Sequence, residues 1–483
     1  MSEHLSPWSQ SGSPMPPHHP RFSRFDRTVF GVVLALTLAI LVVVLLGDHV
    51  GVQLLRSGPA GVARSTSPIT IQFSETMNRL TVEERLRLEP PVEGAFAWNG
   101  ATVIFRPAEA LLPGQEYTVI LAAGAESDSG RRVLAEHRYA FTVRRPEVAY
   151  LAPADATPQN IWIVDPAAPQ NPRQVTFSMT GIYNFDVSSD GTQIAFAEHR
   201  SDTGTIDLKL LDLESGTVTP LVDCPASDCT TPTWSPSGDL IAYERVEVND
   251  PFASAGIGQT RIWLIDLRTA PPTTRPLSSN SQAIGYAPTW SPDSSRVAVF
   301  DSSSQGIMIY DLGQDSAAFI PSRHGSVGEF SPDGTRLLFP DVILHEGQGA
   351  RTHLQIADLE TRRFTDLTDP DEPIDDERGV WRPDGQAIAV ARRYLDDRYT
   401  QGRQIYLIDV AGDNAEPLVV DPAYYHGFFT WDPAGRQLVI QRFPQAASQE
   451  RAAGIRPEIW VFEVESGALI QVADNAFHPR WVP

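Results

Sequence analysis

Two segments in the last third of the chain carry the residue types that most often contact a ligand. They comprise Tyr394, Asp396, Asp397, Arg398 and Tyr399, followed by Tyr424, Tyr425 and His426. Tyrosine and arginine combine apolar area with hydrogen-bonding groups, and they are enriched where proteins bind partners. The two segments therefore predict a binding surface for a protein or a glycan. A charged loop that only faces solvent is the alternative.

An acidic run just upstream offers carboxylates for metal binding or for catalysis. Its members are Asp369, Asp371, Glu372, Asp375, Asp376 and Glu377. Carboxylate oxygens are the ligands that Ca²⁺ prefers, but the run lacks the spaced pattern of a dedicated calcium loop, so a solvated acidic loop is favoured. Carboxylates such as Asp376 and Asp396 could also act as the acid and base of an enzyme that cleaves glycans or peptides.

Motifs of the common enzymes and metal sites are missing from the sequence. The chain has no GxSxG nucleophile elbow, no HExxH and no H-x-E with CxxC. His345, Glu346 and His353 fit no metal-ligand spacing, and the adjacent His18 and His19 lie in a proline-rich tail. The sequence therefore predicts no catalytic residue, no cofactor and no metal, and an enzyme is the less favoured interpretation.

The candidate residues lie on a frame that repeats six times. Each repeat begins with a bulky residue, continues with a turn of the Ser-Pro-Asp-Gly kind and ends in an apolar run. The copies are VSSDGTQIAF from Val187, WSPSGDLIAY from Trp234, WSPDSSRVAVF from Trp290, FSPDGTRLLF from Phe330, WRPDGQAIAV from Trp381 and WDPAGRQLVI from Trp431. A spacing of roughly 40 to 55 residues with this strand content is typical of an all-β propeller, in which each repeat forms one blade.

Turn chemistry and apolar runs give each repeat four strands. Pro presets φ for a turn, Asp hydrogen-bonds its own backbone and Gly accepts positive φ, so the repeated phrase predicts a hairpin turn. A third run ending on an acid and a short fourth run follow, as at 208–212 and 219–222. The repeated tryptophans, including Trp481 near the C-terminus, are predicted to pack between blades rather than to stack on sugars.

The ends of the repeat region supply strands that could close a ring. A propeller must hide its edge strands. Residues 147–151, 161–165 and 173–177 look like three strands that lack a first strand, and 479–483 looks like a first strand alone. Together they complete a further blade. The sequence predicts a seven-bladed propeller over 145–483, with six blades as the fallback.

The repeated phrase also carries a family resemblance. WSPDG followed by IAF and IYxxD resembles the WD40-like repeat of TolB and prolyl-oligopeptidase propellers, over residues 147–483. The resemblance implies the fold but not an activity, because such propellers serve as scaffolds, receptors and domains of hydrolases. Val187 and Ser189 replace Trp and Pro in the first repeat, and Ser294 replaces Gly in the third, which we interpret as turn variation.

Connection length differs between the two faces of the predicted propeller. The first-to-second and third-to-fourth connections are tight turns, whereas the second-to-third and fourth-to-first connections on the opposite face are long. The longest are 244–260, 340–353, 391–404 and 441–458. Long loops on a rigid frame are where binding concentrates, so the binding surface is predicted on this long-loop face.

A separate module, 66–144, precedes the repeats. Its short strands and its turn at Trp98-Asn99-Gly100 predict a β-sandwich. The phrases FSETM, FRPAEALLPGQEYTV and SDSGRRVLAEHRYAFTV resemble the bacterial Ig-like domain of S-layer and other surface proteins. The resemblance implies a spacer or adhesion unit that holds the propeller away from a membrane.

The N-terminal part predicts an uncleaved membrane anchor. Residues 1–27 are rich in Ser, Pro and His and predict a disordered cytoplasmic tail, 28–47 an uncharged transmembrane helix, and 48–65 a linker. Arginines precede the apolar run and Asp48 follows it, so the positive-inside rule places the N-terminus in the cytoplasm and the bulk of the chain outside. A cleaved signal peptide is the alternative, but its apolar core would be shorter.

The two cysteines of the chain, Cys224 and Cys229, stand close together in DCPASDCT. Because the predicted topology places them in an oxidising space, a disulfide is favoured over metal binding. So small a closed loop stabilises the fold little and mainly stiffens the loop itself.

The net charge limits the classes of partner that the protein can bind. At −22, with an isoelectric point near 4.9, the chain is a poor match for a phosphate backbone, so nucleic acid is excluded as a partner. The sequence as a whole predicts a single-pass, membrane-anchored extracytoplasmic protein that presents a β-propeller for binding or scaffolding to a protein, peptide or glycan. A propeller enzyme that uses carboxylates on the long-loop face is the alternative.

Overall fold

The computed structural model describes residues 24–47, 51–108, 110–248, 257–279, 284–345, 349–412, 414–445 and 455–483 of the 483-residue chain. Helix α1, Arg24–Gly47, comes first. Within the described ranges, no helix is both long and apolar enough to span a bilayer, so the predicted transmembrane helix 28–47 is not confirmed. Most of the predicted disordered tail, 1–23, lies outside the described residues.

Two facing sheets form a β-sandwich over residues 54–143. Its elements are β1 (Leu54–Gly58), β2 (Gly61–Ala63), β3 (Ile69–Phe73), the short helix α2 (Arg79–Glu83), β4 (Leu86–Glu89), β5 (Gly94–Asn99), β6 (Thr102–Pro107), β7 (Glu116–Leu121) and β8 (His137–Val143). One sheet has the order β1-β3-β6-β5 and the other β2-β8-β7-β4. Alternating burial, as at Ile69, Ile71 and Phe73, turns one face of each sheet into a shared core.

The sandwich begins earlier than the sequence predicts. Residues 54–63, assigned to the linker 48–65, are edge strands, because β1 pairs with β3 and β2 pairs with β8. These strands are short and largely exposed, so they lack the apolar alternation that predicts a strand. The predicted turn after Trp98 is confirmed, since it joins β5 to β6 with Gly100 at a φ of 57°.

From residue 147 onward, the described strands pair antiparallel in four-stranded groups, two of which share one eight-stranded sheet through a single parallel bridge; we number the groups units 1 to 7. Unit 1 contains β9 (Glu147–Ala152), β10 (Asn160–Val164) and β11 (Arg173–Gln174). Unit 2 is β12 (Ile182–Val187), β13 (Gln193–His199), β14 (Ile206–Asp212) and β15 (Val218–Val222), and unit 3 is β16 (Ser227–Trp234), β17 (Leu240–Glu247), β18 (Arg261–Asp266) and β19 (Thr273–Pro276). Unit 4 is β20 (Tyr286–Trp290), β21 (Arg296–Asp301), β22 (Gly306–Asp311) and β23 (Ser316–Pro321).

The remaining units continue the pattern to the C-terminus. Unit 5 is β24 (Glu329–Phe330), β25 (Arg336–His345), β26 (Gly349–Asp358) and β27 (Phe364–Asp366), and unit 6 is β28 (Ile374–Trp381), β29 (Ala387–Tyr394), β30 (Gln404–Asp409) and β31 (Ala415–Val419). Unit 7 is β32 (Tyr424–Trp431), β33 (Gln437–Pro444), β34 (Glu458–Glu463) and β35 (Leu469–Asp474). The last strand, β36 (Phe477–Val482), takes the first-strand position of unit 1 and completes its four strands.

Unit 1 is built from both ends of the repeat region. β36 pairs antiparallel with β9, with Trp481 opposite Val148 and Val482 opposite Glu147, as the sequence predicts. The sheet order is therefore β11-β10-β9-β36. A circle of four-stranded sheets joined in this way is the arrangement of a β-propeller.

The repeated tryptophans pack between units, which confirms the sequence prediction. Each is less than a tenth exposed: Trp234, Trp290, Trp381, Trp431 and Trp481. Some also link neighbouring units through the indole nitrogen. Trp290 Nε1 donates to the carbonyl oxygen of Thr233 at 2.9 Å, and Trp481 Nε1 donates to that of Thr430 at 3.1 Å.

Two of the predicted long loops are shorter than the sequence indicates. β25 and β26 extend a hairpin through most of 340–353, and β33 continues to Pro444 within 441–458. Polar cross-strand pairs such as Asp341 with His353 lengthen these strands, and the apolar pattern does not predict them. Residues 249–256, 346–348 and 446–454 of the predicted loops lie outside the described residues.

The sandwich contacts the propeller through two arginines. Arg64 donates to the carbonyl oxygen of Ser189. Arg144 donates to the carbonyl oxygens of Asp190, at 3.0 Å, and of Pro483. Ser189 and Asp190 lie in the turn between β12 and β13, so the sandwich is attached to the tight-turn face.

Candidate functional site

The first predicted segment folds onto itself where β29 ends. Arg398 Nε donates to Asp396 Oδ1 at 3.1 Å, and the guanidinium carbon lies 3.6 Å from the centre of the Tyr394 ring. This ion pair lowers the pKa of Asp396 below its ordinary value. Tyr394 is buried beneath the arginine, whereas Asp397, Arg398 and Tyr399 are exposed.

The second predicted segment is organised around a stacked arginine. The guanidinium carbon of Arg442 lies 3.6 Å from the ring centre of Tyr424 and 4.0 Å from that of Trp460. Such stacks combine cation–π attraction with apolar contact. The hydroxyl of Tyr425 donates to Glu377 Oε2 at 3.3 Å, which ties unit 7 to unit 6.

His426 is a buried neighbour of this stack rather than a surface residue. Its side chain is 1% exposed, and neither ring nitrogen has a hydrogen-bond partner among the described residues. Burial, with the positive charge of Arg442 second, lowers the pKa of His426 to about 3. The ring is therefore neutral at physiological pH and supports the segment from below.

The two segments meet in the structure. Gln404 Nε2 donates to the carbonyl oxygens of Gly402, at 3.0 Å, and Tyr424, at 3.2 Å, so the end of the 395–403 loop is held against the start of β32. Of the eight predicted binding residues, Tyr394 and His426 are buried. The other six remain candidates, and ligand binding there stays a prediction.

Part of the acidic run is buried and paired, so its interpretation as a solvated loop is wrong for these residues. Asp376 accepts two hydrogen bonds from Arg392, at 2.9 and 2.8 Å, and its side chain is fully buried. Asp375 lies 2.6 Å from Arg393 and 2.8 Å from Arg403. Both acids lie on β28 opposite β29, and their role is to support the long loops.

No metal site emerges in the part of the chain that the structure describes. Its side chains form no group of three or more His, Cys, Asp or Glu that could hold a metal ion. His353 Nε2 lies 3.2 Å from Asp366 Oδ1. Glu346, His18 and His19 lie outside the described residues.

The predicted disulfide is confirmed. Cys224 and Cys229 are bonded, with Cα atoms 6.3 Å apart, and both side chains are buried. Cys224 N–H donates to Asp207 Oδ1 at 2.7 Å. The bond lies between β15 and β16, where a single parallel bridge from Ile206 to Asp228 joins units 2 and 3.

A cavity of about 650 Å³ runs along the axis of the propeller, and we call it the channel. The first strand of every unit lines it. One lining residue from each is, in chain order, Asp186, Thr233, Thr289, Glu329, Arg378, Phe428 and Arg480. Its volume is within the range typical of sites for small ligands.

One ion pair in the channel is complete. Asp186 Oδ1 lies 3.5 Å from Arg480 Nε, and Asp186 Oδ2 accepts the backbone N–H of Trp234 at 2.8 Å. The pair joins unit 1 to unit 2, and the backbone hydrogen bond joins unit 2 to unit 3. Asp186 and Arg480 thus close the ring as well as line the channel.

Glu329 is a second acidic residue in the channel, and its hydrogen-bond donor is a backbone N–H. Glu329 Oε2 accepts the backbone N–H of Trp381 at 3.0 Å. Burial raises the pKa of Glu329 to about 7, and the nearby positive charge of Arg378 acts in the opposite direction. Near neutral pH this carboxyl group is therefore a mixture of its protonated and ionised forms.

Arg378 is the unmatched charge of the channel. Its guanidinium carbon lies 4.5 Å from the centre of the Phe428 ring, and that of Arg480 lies 4.9 Å from the same ring. Within the described residues Arg378 has no hydrogen-bond or ion-pair partner, and its Nε is buried. Burial lowers the pKa of Arg378, with Glu329 opposing that effect.

Sequence reasoning missed the channel residues, although the repeats contain a signal. Three first strands carry Thr immediately before the tryptophan, at Thr233, Thr289 and Thr430. The equivalent position holds a charge in three others, at Asp186, Glu329 and Arg480. Because equivalent positions of a repeat share one environment, a charge that replaces Thr there marks a special lining position.

Comparison with known proteins gives a family for the sandwich and structural relatives for the propeller. Residues 51–143 match the bacterial Ig-like domain family, which agrees with the early start at β1. Comparison with curated protein sequences finds no match.

Three solved structures illustrate the likeness. TolB from Acinetobacter baumannii is 12% identical with a TM-score of 0.41, covering 90% of this chain and 99% of that one. Oligogalacturonate lyase from Vibrio parahaemolyticus is 14% identical with a TM-score of 0.46, covering 68% and 86%. The β-propeller domain of the trilobed protease from Pyrococcus furiosus is 13% identical with a TM-score of 0.43, covering 61% and 84%.

The family match and the strand order each account for one part of the described chain. The match covers the sandwich, and the sheet order of units 1 to 7 is itself that of a propeller. The chain therefore contains a bacterial Ig-like domain over residues 51–143, followed by strands arranged as a β-propeller.

Proposed function

We propose that the protein is a membrane-anchored, extracytoplasmic binding or scaffold protein that presents a closed, seven-bladed propeller to a protein, peptide or glycan. The uncharged run 28–47, preceded by arginines and followed by Asp48, supports an anchor with a cytoplasmic N-terminus. The Ig-like domain then acts as a spacer. The pairing of β36 with β9 supports seven blades rather than six.

The observation that carries the proposal is the face that the Ig-like domain contacts. Arg64 and Arg144 bind the turn at Ser189 and Asp190, which belongs to the tight-turn face. In the described ranges, no hydrogen bond joins the spacer to the opposite face, which carries the long loops. A membrane-tethered propeller mounted in this way directs its long loops away from the spacer and toward a partner.

The long-loop face also has a suitable surface. Asp397, Arg398 and Tyr399 are exposed in the loop that follows β29, and the buried pair of Asp376 with Arg392 joins β28 to β29 next to that loop. A surface that is already ordered loses little conformational entropy on binding. Exposed arginine and tyrosine on such a support match the residues that dominate binding energy at interfaces.

Two arginines in equivalent local structures allow a matched test. Arg398 pairs with Asp396 on the long-loop face, and Arg268 pairs with Asp266 in a third-to-fourth turn on the tight-turn face. Full-length protein in detergent is assayed on glycan arrays and against cross-linked envelope proteins. Replacing both Arg398 and Tyr399 by Ala is expected to weaken binding by about tenfold or more, because interface hot spots of these types cost at least about 1.4 kcal/mol. Arg268→Ala is expected to have no effect.

Two results contradict the proposal. Equal losses in the two variants would mean that the long-loop face is not the binding surface. Turnover of a glycan or peptide panel by the wild-type protein would favour an enzyme instead. The anchor is tested separately: protease added to intact cells should digest the propeller, and alkaline extraction should leave the protein with the membrane.

A further inference from the structure

The channel contains an arginine, Arg378, that makes no hydrogen bond to the described residues. Within the described residues nothing accepts a hydrogen bond from Arg378, and its Nε is buried without a partner. The residue as a whole is partly exposed, but its buried Nε–H without a partner is unfavourable, because the protein does not replace the hydrogen bond that water made. Arginines in such surroundings are usually paired with an anion.

The geometry leaves the guanidinium available to a ligand. Its guanidinium carbon lies 4.5 Å from the centre of the Phe428 ring. This aromatic contact does not occupy the hydrogen-bond donors at the edge of the guanidinium. That edge is a planar fork of donors that fits a carboxylate with two parallel hydrogen bonds.

The neighbouring charges do not satisfy Arg378. Arg480 shares the Phe428 ring but is engaged by Asp186, at 3.5 Å. Glu377 is engaged by Arg403, at 2.7 Å, and by the hydroxyl of Tyr425. Glu329 uses Oε2 to accept the backbone N–H of Trp381. Among the described cationic side chains that line the channel, Arg378 is therefore the one that makes no hydrogen bond to another residue.

We propose that the channel binds a small molecule bearing a single carboxylate, held by Arg378 through paired hydrogen bonds with the remainder of the molecule in the axial cavity. The volume of about 650 Å³ accommodates a ligand of that size. A singly charged group is favoured over a phosphate dianion, because Glu329 lies beside Arg378 and repels further negative charge. This site is distinct from the long-loop surface and does not depend on its function.

The test measures binding to the full-length protein in detergent by isothermal titration calorimetry. The probe is phenylacetate, and phenylacetamide is the uncharged control of the same shape. Phenylacetate is expected to bind at least about tenfold more tightly than phenylacetamide, because a charge-assisted pair contributes more than a neutral hydrogen bond. Arg378→Met is expected to abolish that preference, and Arg378→Lys, which keeps the charge without the fork, to reduce it.

Matched variants separate this site from the long-loop surface. Arg398→Met removes a guanidinium from the long-loop face and is expected to leave phenylacetate affinity unchanged. The inference is overturned if phenylacetamide binds as tightly as phenylacetate or if Arg378→Met binds phenylacetate as the wild type does. Tighter binding of phenyl phosphate would overturn the assignment to a carboxylate. If Arg378→Met fails to fold, Arg378→Lys is measured instead, and the inference is overturned if that variant binds phenylacetate as tightly as the wild type does.

Discussion

The acids beneath the long loops pair directly with arginines, whereas the channel combines one complete ion pair, Asp186 with Arg480, with an arginine that makes no hydrogen bond to a described residue. Asp376 receives two hydrogen bonds from Arg392, and Asp375 contacts two further arginines. In the channel, Arg378 has no partner within the described residues. A buried charge that is fully paired builds the frame, and one that is unpaired is available to a ligand. We therefore infer that the paired charges under the long loops stabilise the fold and that Arg378 in the channel binds a ligand.

The largest expected change in stability comes from removing one partner of the buried ion pair between Asp376 and Arg392. Asp376→Asn keeps the shape of the side chain but leaves Arg392 as an uncompensated buried charge. The free energy of unfolding is expected to fall by about 3–5 kcal/mol, as when one partner of a buried pair is removed. Urea denaturation of the variant and the wild type, followed by tryptophan fluorescence, measures the difference.

The control for this change is a similar ion pair at the surface. Arg398→Ala removes the exposed pair with Asp396 and is expected to change the free energy of unfolding far less, because solvent screens an exposed pair. Equal losses in the two variants would contradict the distinction between structural and surface charges. A loss below about 1 kcal/mol for Asp376→Asn would mean that the buried pair does not support the frame.

The sequence predicts the frame well because its signals are local and repeated. The turn phrase recurs with each repeat, and Ser294, which replaces Gly in one copy, takes the same positive φ, 62°, that Gly334 takes at 72° in the next. The C-terminal strand could be paired with 147–151 because each set lacked the strands that the other supplied. The disulfide could be predicted because the two cysteines are close in sequence and the predicted topology places them in an oxidising compartment.

The matched and unmatched charges could not be predicted in the same way, because they depend on register. Asp376 faces Arg392 only because β28 contains a bulge between Asp376 and Arg378, and a one-residue slip would turn each side chain to the opposite face. The first strands of units 2, 3, 4, 7 and 1 have comparable irregularities. The apolar periodicity of the sequence does not indicate these bulges, so it predicts neither the ion pairs nor the residues that line the channel.

A second prediction uses pH to sharpen the comparison in the channel. The pKa of Glu329 is raised from 4.5 to about 7, so folding favours its protonated form. The stabilisation is present below pH 4.5 and is lost as the pH rises toward 7. Relative to Glu329→Gln, the wild type is expected to lose roughly 3 kcal/mol across that range, since one pH unit corresponds to about 1.4 kcal/mol. Urea denaturation of both proteins at several pH values gives the difference curve, and a flat curve would contradict the assignment.

The smallest of the three effects has the opposite sign and lies under the long loops. Burial lowers the pKa of His426 from 6.5 to about 3, so folding favours the neutral ring and stability is lost as the pH falls below 6.5. Because neither ring nitrogen has a partner among the described residues, His426→Phe keeps the aromatic contacts without a titrating group. At pH 5 the wild type is expected to be about 2 kcal/mol less stable relative to this variant than it is at pH 7.5. Lowering the pH is therefore expected to decrease the contribution of His426 to the free energy of unfolding and to increase that of Glu329. Difference curves that slope in the same direction for the two residues would contradict the distinction between the two regions.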